Sequence, residues 1–186
     1  MKRTQIKTVA DLLHWERYFN DEYIAELKDV PCPARIGRIA APQDLNDITL
    51  GQLVRLEAIG AEKGVFAAIA EVLLEKDEAW AMKAPALEML GLRNMVVAEQ
   101  ERIANLFASL GREHTAAEVM AGIEKLNFGM FGLADWYARR MGITDHDEAF
   151  ETPWVRVWQC RKNDQEEADY QRRLQTVQTN MMKQRP

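Results

Sequence analysis

The sequence predicts an all-α protein, an irregular multi-helix bundle of roughly eight helices with no significant sheet. Apolar residues recur at three- and four-residue steps in nearly every segment, the period of a helix with one buried face. Sustained alternation of β-branched with polar residues, which a half-buried strand needs, is almost absent. A local device also marks several helix starts: a Thr is followed three positions later by an acid or amide. The hydroxyl caps a free helix N–H and the later side chain returns the bond.

Thr8 with Asp11 opens the first helix, whose Val9, Leu12, Leu13 and Tyr18 give an apolar side before Asn20-Asp21. A short continuation through Tyr23, Ile24 and Leu27 stops at Val30-Pro31-Cys32-Pro33, because each proline pushes the residue before it out of the α region. Pro31 to Asp47, with three prolines and Gly37, reads as an extended connection. Thr49 with Gln52 caps a helix carrying Leu50, Leu53, Val54 and Leu56 up to Gly60. The next begins at Gly64, with Val65, Ile69, Val72 and Leu73 as its stripe. Pro85 suits the first turn of a short helix through Leu87 and Leu90, ended by Gly91. From about Arg93 to Leu110, Val96, Ile103, Leu106 and Phe107 share one face, and Gly111 is the stop.

Thr115 with Glu118 opens a helix carrying Val119, Met120, Ile123 and Leu126. Asn127 to Gly132 is a glycine-punctuated apolar turn into a helix with Leu133, Trp136, Tyr137 and Met141. Thr144 with Asp147 caps one turn ending near Phe150. Thr152-Pro153 reads as an N-cap and a first-position proline, with Trp154, Val157, Trp158 and Arg161 along one side. The last helix runs from Asp164 to about Val177, with Tyr170, Leu174 and Val177 at four- and three-residue steps. The expected organisation is therefore N-terminal helices and connection (1–47), helical body (48–177) and frayed tail (178–186), within one compact domain.

Composition narrows the function classes. At 186 residues, 47% hydrophobic and 28% charged, the chain is neither disordered nor collagen-like, and two cysteines do not make a disulfide scaffold. A formal charge of −5 gives no global attraction to nucleic acid or anionic membrane. Cys32 and Cys160 match no zinc, haem or redox spacing, so reduced thiols in a cytoplasmic protein are expected. The basic N-terminus meets Asp11, His14, Glu16 and Arg17 before a signal-length apolar run accumulates, and no window approaches the ~18 apolar residues of a membrane span.

No motif announces a reaction. His146, in Asp145-His146-Asp147-Glu148, resembles a metal cluster, but consecutive helical positions diverge around the axis and cannot all face one ion. His14, beside Trp15 and Glu16, reads first as a hydrogen-bonded packing residue, and His114 lies in a loop. No glycine-rich loop follows a strand, and the Glu-x-x-His pairs of di-iron bundles are absent. No cofactor and no metal site is predicted.

Five tryptophans are the most informative residues, since Trp136, Trp154 and Trp158 gather with Tyr137 and Tyr170 in the C-terminal third. They are core, or they anchor a partner protein, because aromatic and Arg residues concentrate interface energy. The partner-binding candidates are Trp154, Trp158, Arg161, Tyr170, Leu174 and Val177. Stacking on single-stranded nucleic acid beside Arg161, Lys162, Arg172 and Arg173 is opposed by the interleaved Glu166, Glu167 and Asp169.

The layout carries a resemblance as well. Pro33-Ala34-Arg35-Ile36-Gly37 followed by Ile48-Thr49-Leu50-Gly51-Gln52-Leu53 opening a helical body looks like small helical proteins of tailed-phage structural modules. Phe131-Gly132-Leu133-Ala134-Asp135-Trp136 and Glu151-Thr152-Pro153-Trp154 are similar to the second half of tail assembly chaperones. The resemblance implies a non-enzymatic cytoplasmic protein that engages a long helical client, the tape-measure protein, and it transfers no catalytic residue. A helical protein-binding or assembly protein, with self-association open, is thus the leading expectation. The alternatives are a small helical enzyme or metal-binding protein using His14 or His146, and a helical nucleic-acid-binding regulator.

Overall fold

A computed structural model describes residues 6–58, 64–112 and 114–183. Ten α-helices occur among them: α1 (Val9–Trp15), α2 (Asp21–Lys28), α3 (Leu50–Glu57), α4 (Val65–Leu74), α5 (Glu78–Lys83), α6 (Ala86–Ala108), α7 (Ala116–Met120), α8 (Gly129–Met141), α9 (His146–Phe150) and α10 (Trp154–Lys183). Between α2 and α3 the strands β1 (Arg35–Ile36) and β2 (Ile39–Ala40) form an antiparallel hairpin, the only sheet among the described residues.

The three Thr capping boxes form as their spacing predicts, at Thr8, Thr49 and Thr115. Two of them take part in a larger device. Val9 N–H donates to Ala84 O and Ala86 N–H to Lys7 O, each at 3.0 Å, which ties the start of α1 to the start of α6. In the same way Leu50 N–H donates to Thr152 O at 2.8 Å and Trp154 N–H to Ile48 O at 3.3 Å, tying α3 to α10. Each junction is a short antiparallel bridge with a threonine opposite a proline, Thr8 with Pro85 and Thr49 with Pro153. The chemistry is complete: the proline has no N–H to satisfy, and the threonine N–H is bonded by Asp11 or Gln52. The first residue of all four helices, Val9, Ala86, Leu50 and Trp154, is buried. First-turn amides that would otherwise need water are therefore satisfied inside the core.

Helix α6 is the spine on which the connection before Asp47 is laid. Glu88 accepts from Gly37 N–H at 2.7 Å and Glu99 from Leu45 N–H at 3.1 Å. The Asn94 amide donates to the carbonyls of Leu27, Lys28 and Val30. Ile36 and Leu45 of this stretch are fully buried in the same cluster as Met89, Leu92, Ile69 and Trp154. The stretch between Pro31 and Asp47 thus packs on the body and contains the hairpin.

Several expectations are corrected. Gly91 does not end a helix: α6 runs through it for 23 residues. A Cβ at Gly91 would lie 2.1 Å from Pro31 O, so glycine serves close approach here. The expected break before Asp164 is also absent, because no Gly or Pro interrupts the 30 residues of α10. α5 was hidden in an acidic stretch; Asp77 caps it by accepting from Trp80 N–H, and Ala81 is its buried contact. α7 stops at Met120, short of Leu126, because Gly122 turns left-handed at φ 83°. The cap of α9 is Asp145, which accepts from Asp147 N–H, in place of Thr144. The tail is helical from Gln178 to Lys183, where fraying was expected; the rest of it, residues 184–186, lies outside the described residues, as does the Gly60 expected to close α3. Merged and added elements together make ten helices where roughly eight were expected.

Candidate partner-binding helix

The first turns of α10 belong to the core. Trp154 is 1% exposed, and its Nε1–H donates to Leu45 O at 2.6 Å. Its ring lies 6.2 Å from that of Phe107, and the Arg102 guanidinium sits 5.7 Å from its centroid. Arg102 is itself oriented by Glu99, and this ion pair together with Leu45 N–H holds the Glu99 carboxyl below the usual carboxylate range. Leu45 is thereby gripped at both backbone groups, by Glu99 at the N–H and Trp154 at the carbonyl. Trp158 is half-buried and donates Nε1–H to Leu106 O at 3.2 Å. Both indoles therefore have internal polar partners, and Trp154 as a surface anchor is corrected: it is a core residue.

The middle of α10 holds α8. Arg161 is exposed but lies 5.2 Å from the Trp136 centroid, a cation–π contact within the chain. Arg140 meets the Asp164 carboxylate at 3.0 Å and also donates toward Cys160 Sγ. Arg172 folds back onto Asp169.

Beyond this point the helix separates from the body. Tyr170 is 53% exposed, Leu174 half-buried and Val177 54% exposed, and every residue from Gln175 to Lys183 is exposed. Met181, 61% exposed, extends the series to steps of four, three and four, the spacing of a coiled-coil seam. Met181 lies in the stretch expected to fray, which α10 instead continues through. Of the six candidates, the structure therefore gathers Tyr170, Leu174 and Val177 on one free stripe and assigns Trp154, Trp158 and Arg161 to internal contacts.

A second apolar exposure lies around the start of α8, where Val119, Met120, Leu126, Phe128 and Phe131 are exposed. A Cβ on Gly132 would stand 2.4 Å from Phe128 Cβ, so this glycine seats Phe128 against the start of the helix.

The histidines are not brought together. His14 is exposed and meets Trp15 edge-on at 5.1 Å between centroids. His146 Nε2 lies 3.2 Å from Asp135 Oδ1, and its ring stacks on Phe131 at 5.0 Å. That histidine, with Arg139 adding to it, keeps the Asp135 carboxyl below its ordinary range. Among the described residues no group of three potential metal ligands converges, and no helix is long and apolar enough to cross a membrane.

Compared with known proteins, the chain matches no protein-family model, no curated protein and no solved structure.

Proposed function

We propose that this chain is a non-enzymatic helical assembly protein that engages a long helical protein client through the distal part of α10. One observation carries the reading: exposed Tyr170, Val177 and Met181, with half-buried Leu174, form a seam at coiled-coil spacing on a helix that has left its own core. A partner helix would bury that seam knobs-into-holes, and apolar side chains gain about 25 cal/mol for each Å² removed from water. The resemblance to tail assembly chaperones is consistent with such a client, a tape-measure-like helix.

The test is co-purification from the native host combined with light scattering over a concentration series. The expected result is a stoichiometric complex with a long helical protein that Leu174→Glu with Val177→Glu abolishes while the melting curve stays in place. A strict monomer that captures no partner would overturn the proposal. A second reading, an enzyme or metal protein using His146, draws on the Asp135 carboxylate beside its imidazole. Calorimetric titration with Zn²⁺ tests its metal form, which falls if His146→Ala leaves the heat unchanged.

A further inference from the structure

A cavity of about 260 Å³ opens between α1, α2, α4 and α6, away from the α10 seam. At the ~30 Å³ that a water-sized group occupies in a liquid, this is room for about nine non-hydrogen atoms. Its walls are apolar, with Leu12, Leu27, Phe66 and Leu90 among them. Leu13 and Ile24 at its rim are each 41% exposed, so this is an open groove whose apolar lining a bound ligand would remove from water.

Helix α2 forms one side in an unusual manner. None of its eight residues is buried, although Ile24 and Leu27 line the chamber. What fixes α2 is polar: the Asn94 amide holds the carbonyls at its C-terminal end. Leu27 packs against the core at the base of the groove, whereas Ile24 of α2 and Leu13 across from it are exposed at its rim.

All the polar side chains that line the chamber are charged: Glu16, Lys28 and Arg93. Arg93 is half-buried and hydrogen-bonds the Asn94 side-chain oxygen at 3.3 Å, and among the described residues it meets no carboxylate. With Nη1 engaged by Asn94, the Nε–H and Nη2 edge of the guanidinium is the part left to meet a carboxylate, which it can bind through two parallel hydrogen bonds. Lys28 adds a second positive charge, against the single negative charge of Glu16.

We propose that this chamber is a binding site for a small amphiphilic carboxylate, an aliphatic chain or single ring whose apolar part fills the space under α2 and whose carboxylate meets Arg93.

The experiment is calorimetric titration of the full chain with octanoate, octan-1-ol and octylammonium. Octanoate is expected to bind at least tenfold more tightly than octanol, with octylammonium weakest. Arg93→Gln should erase the advantage of octanoate over octanol, and Glu16→Gln should increase octanoate affinity by removing a repulsive charge. Ile24→Trp, which fills the chamber from α2, should abolish binding of all three while leaving the melting curve cooperative. Equal binding of the three probes, or no binding at millimolar concentration to a chain that melts cooperatively, would overturn the proposal. If Arg93→Gln does not fold, the response to Glu16→Gln decides: unchanged octanoate affinity overturns it. None of these readouts involves the α10 seam, so the outcome is independent of client binding.

Discussion

The opening turns of α10 and its last turns belong to one uninterrupted helix, yet Trp154 and Val157 are 1% exposed or less while every side chain from Gln175 to Lys183 is exposed. Both ends carry apolar residues at helical spacing. What differs is the surroundings. At the proximal end, Pro153 bridges to Thr49, Leu45 and Leu106 offer carbonyls to two indoles, and Arg102 lies over the Trp154 ring. At the distal end, among the described residues, no comparable set of contacts covers Val177 and Met181, which are 54% and 61% exposed. Helical periodicity tells which residues share a face; the neighbours decide whether that face is interior or interface.

The comparison can be broken hardest at Trp154. Trp154→Ala should cost about 3–5 kcal/mol, from lost burial, the cavity left behind and an unpaired Leu45 carbonyl, read as a fall in the denaturation midpoint. Trp158→Ala, at a half-buried site with one hydrogen bond, should cost about 1–3 kcal/mol in the same assay. Acid sharpens the contrast further. The Glu99 carboxyl is depressed in the folded state by Arg102 and Leu45 N–H, so its stabilising contribution is fully present above the ordinary carboxylate pKa near ~4.3 and is lost as pH falls through the lowered value. Melting temperature measured from pH 7 downward should therefore drop more steeply for the wild type than for Glu99→Gln. The exposed Arg140–Asp164 pair is smaller still: Asp164→Asn should lower the denaturation midpoint only slightly, and less again in high salt. At the far end, Val177→Ala should shift stability by no more than about 0.5 kcal/mol while weakening client capture, separating an interface residue from a core one in a single variant.

How much of this was legible follows from how far each interaction reaches. The capping boxes at Thr8, Thr49 and Thr115 were legible because donor and acceptor lie three residues apart. Gly91 was not, since its reason is a carbonyl at Pro31 that sequence spacing does not bring near. α5 gives little periodic signal because its buried contact is made by Ala81, a residue of low hydrophobic weight. Tyr170, Leu174 and Val177 carry the same periodic signal as Trp154, yet Tyr170 and Val177 are exposed and Trp154 is core. The groove under α2 has no sequence signature, because its walls come from four helices and no local pattern sets Arg93 apart from the other arginines.

The paired helix starts leave a kinetic fingerprint. Amides in the first turn of a helix usually lack a protein acceptor and trade their hydrogens with solvent quickly. Here the amides of Val9, Leu50, Ala86 and Trp154 are bonded to carbonyls on other elements and lie in the interior. Their hydrogens can leave only when two distant stretches of chain part company. In a deuterium time course these four positions should retain protium as long as mid-helix sites do, and the α1–α6 and α3–α10 members should each release it in step.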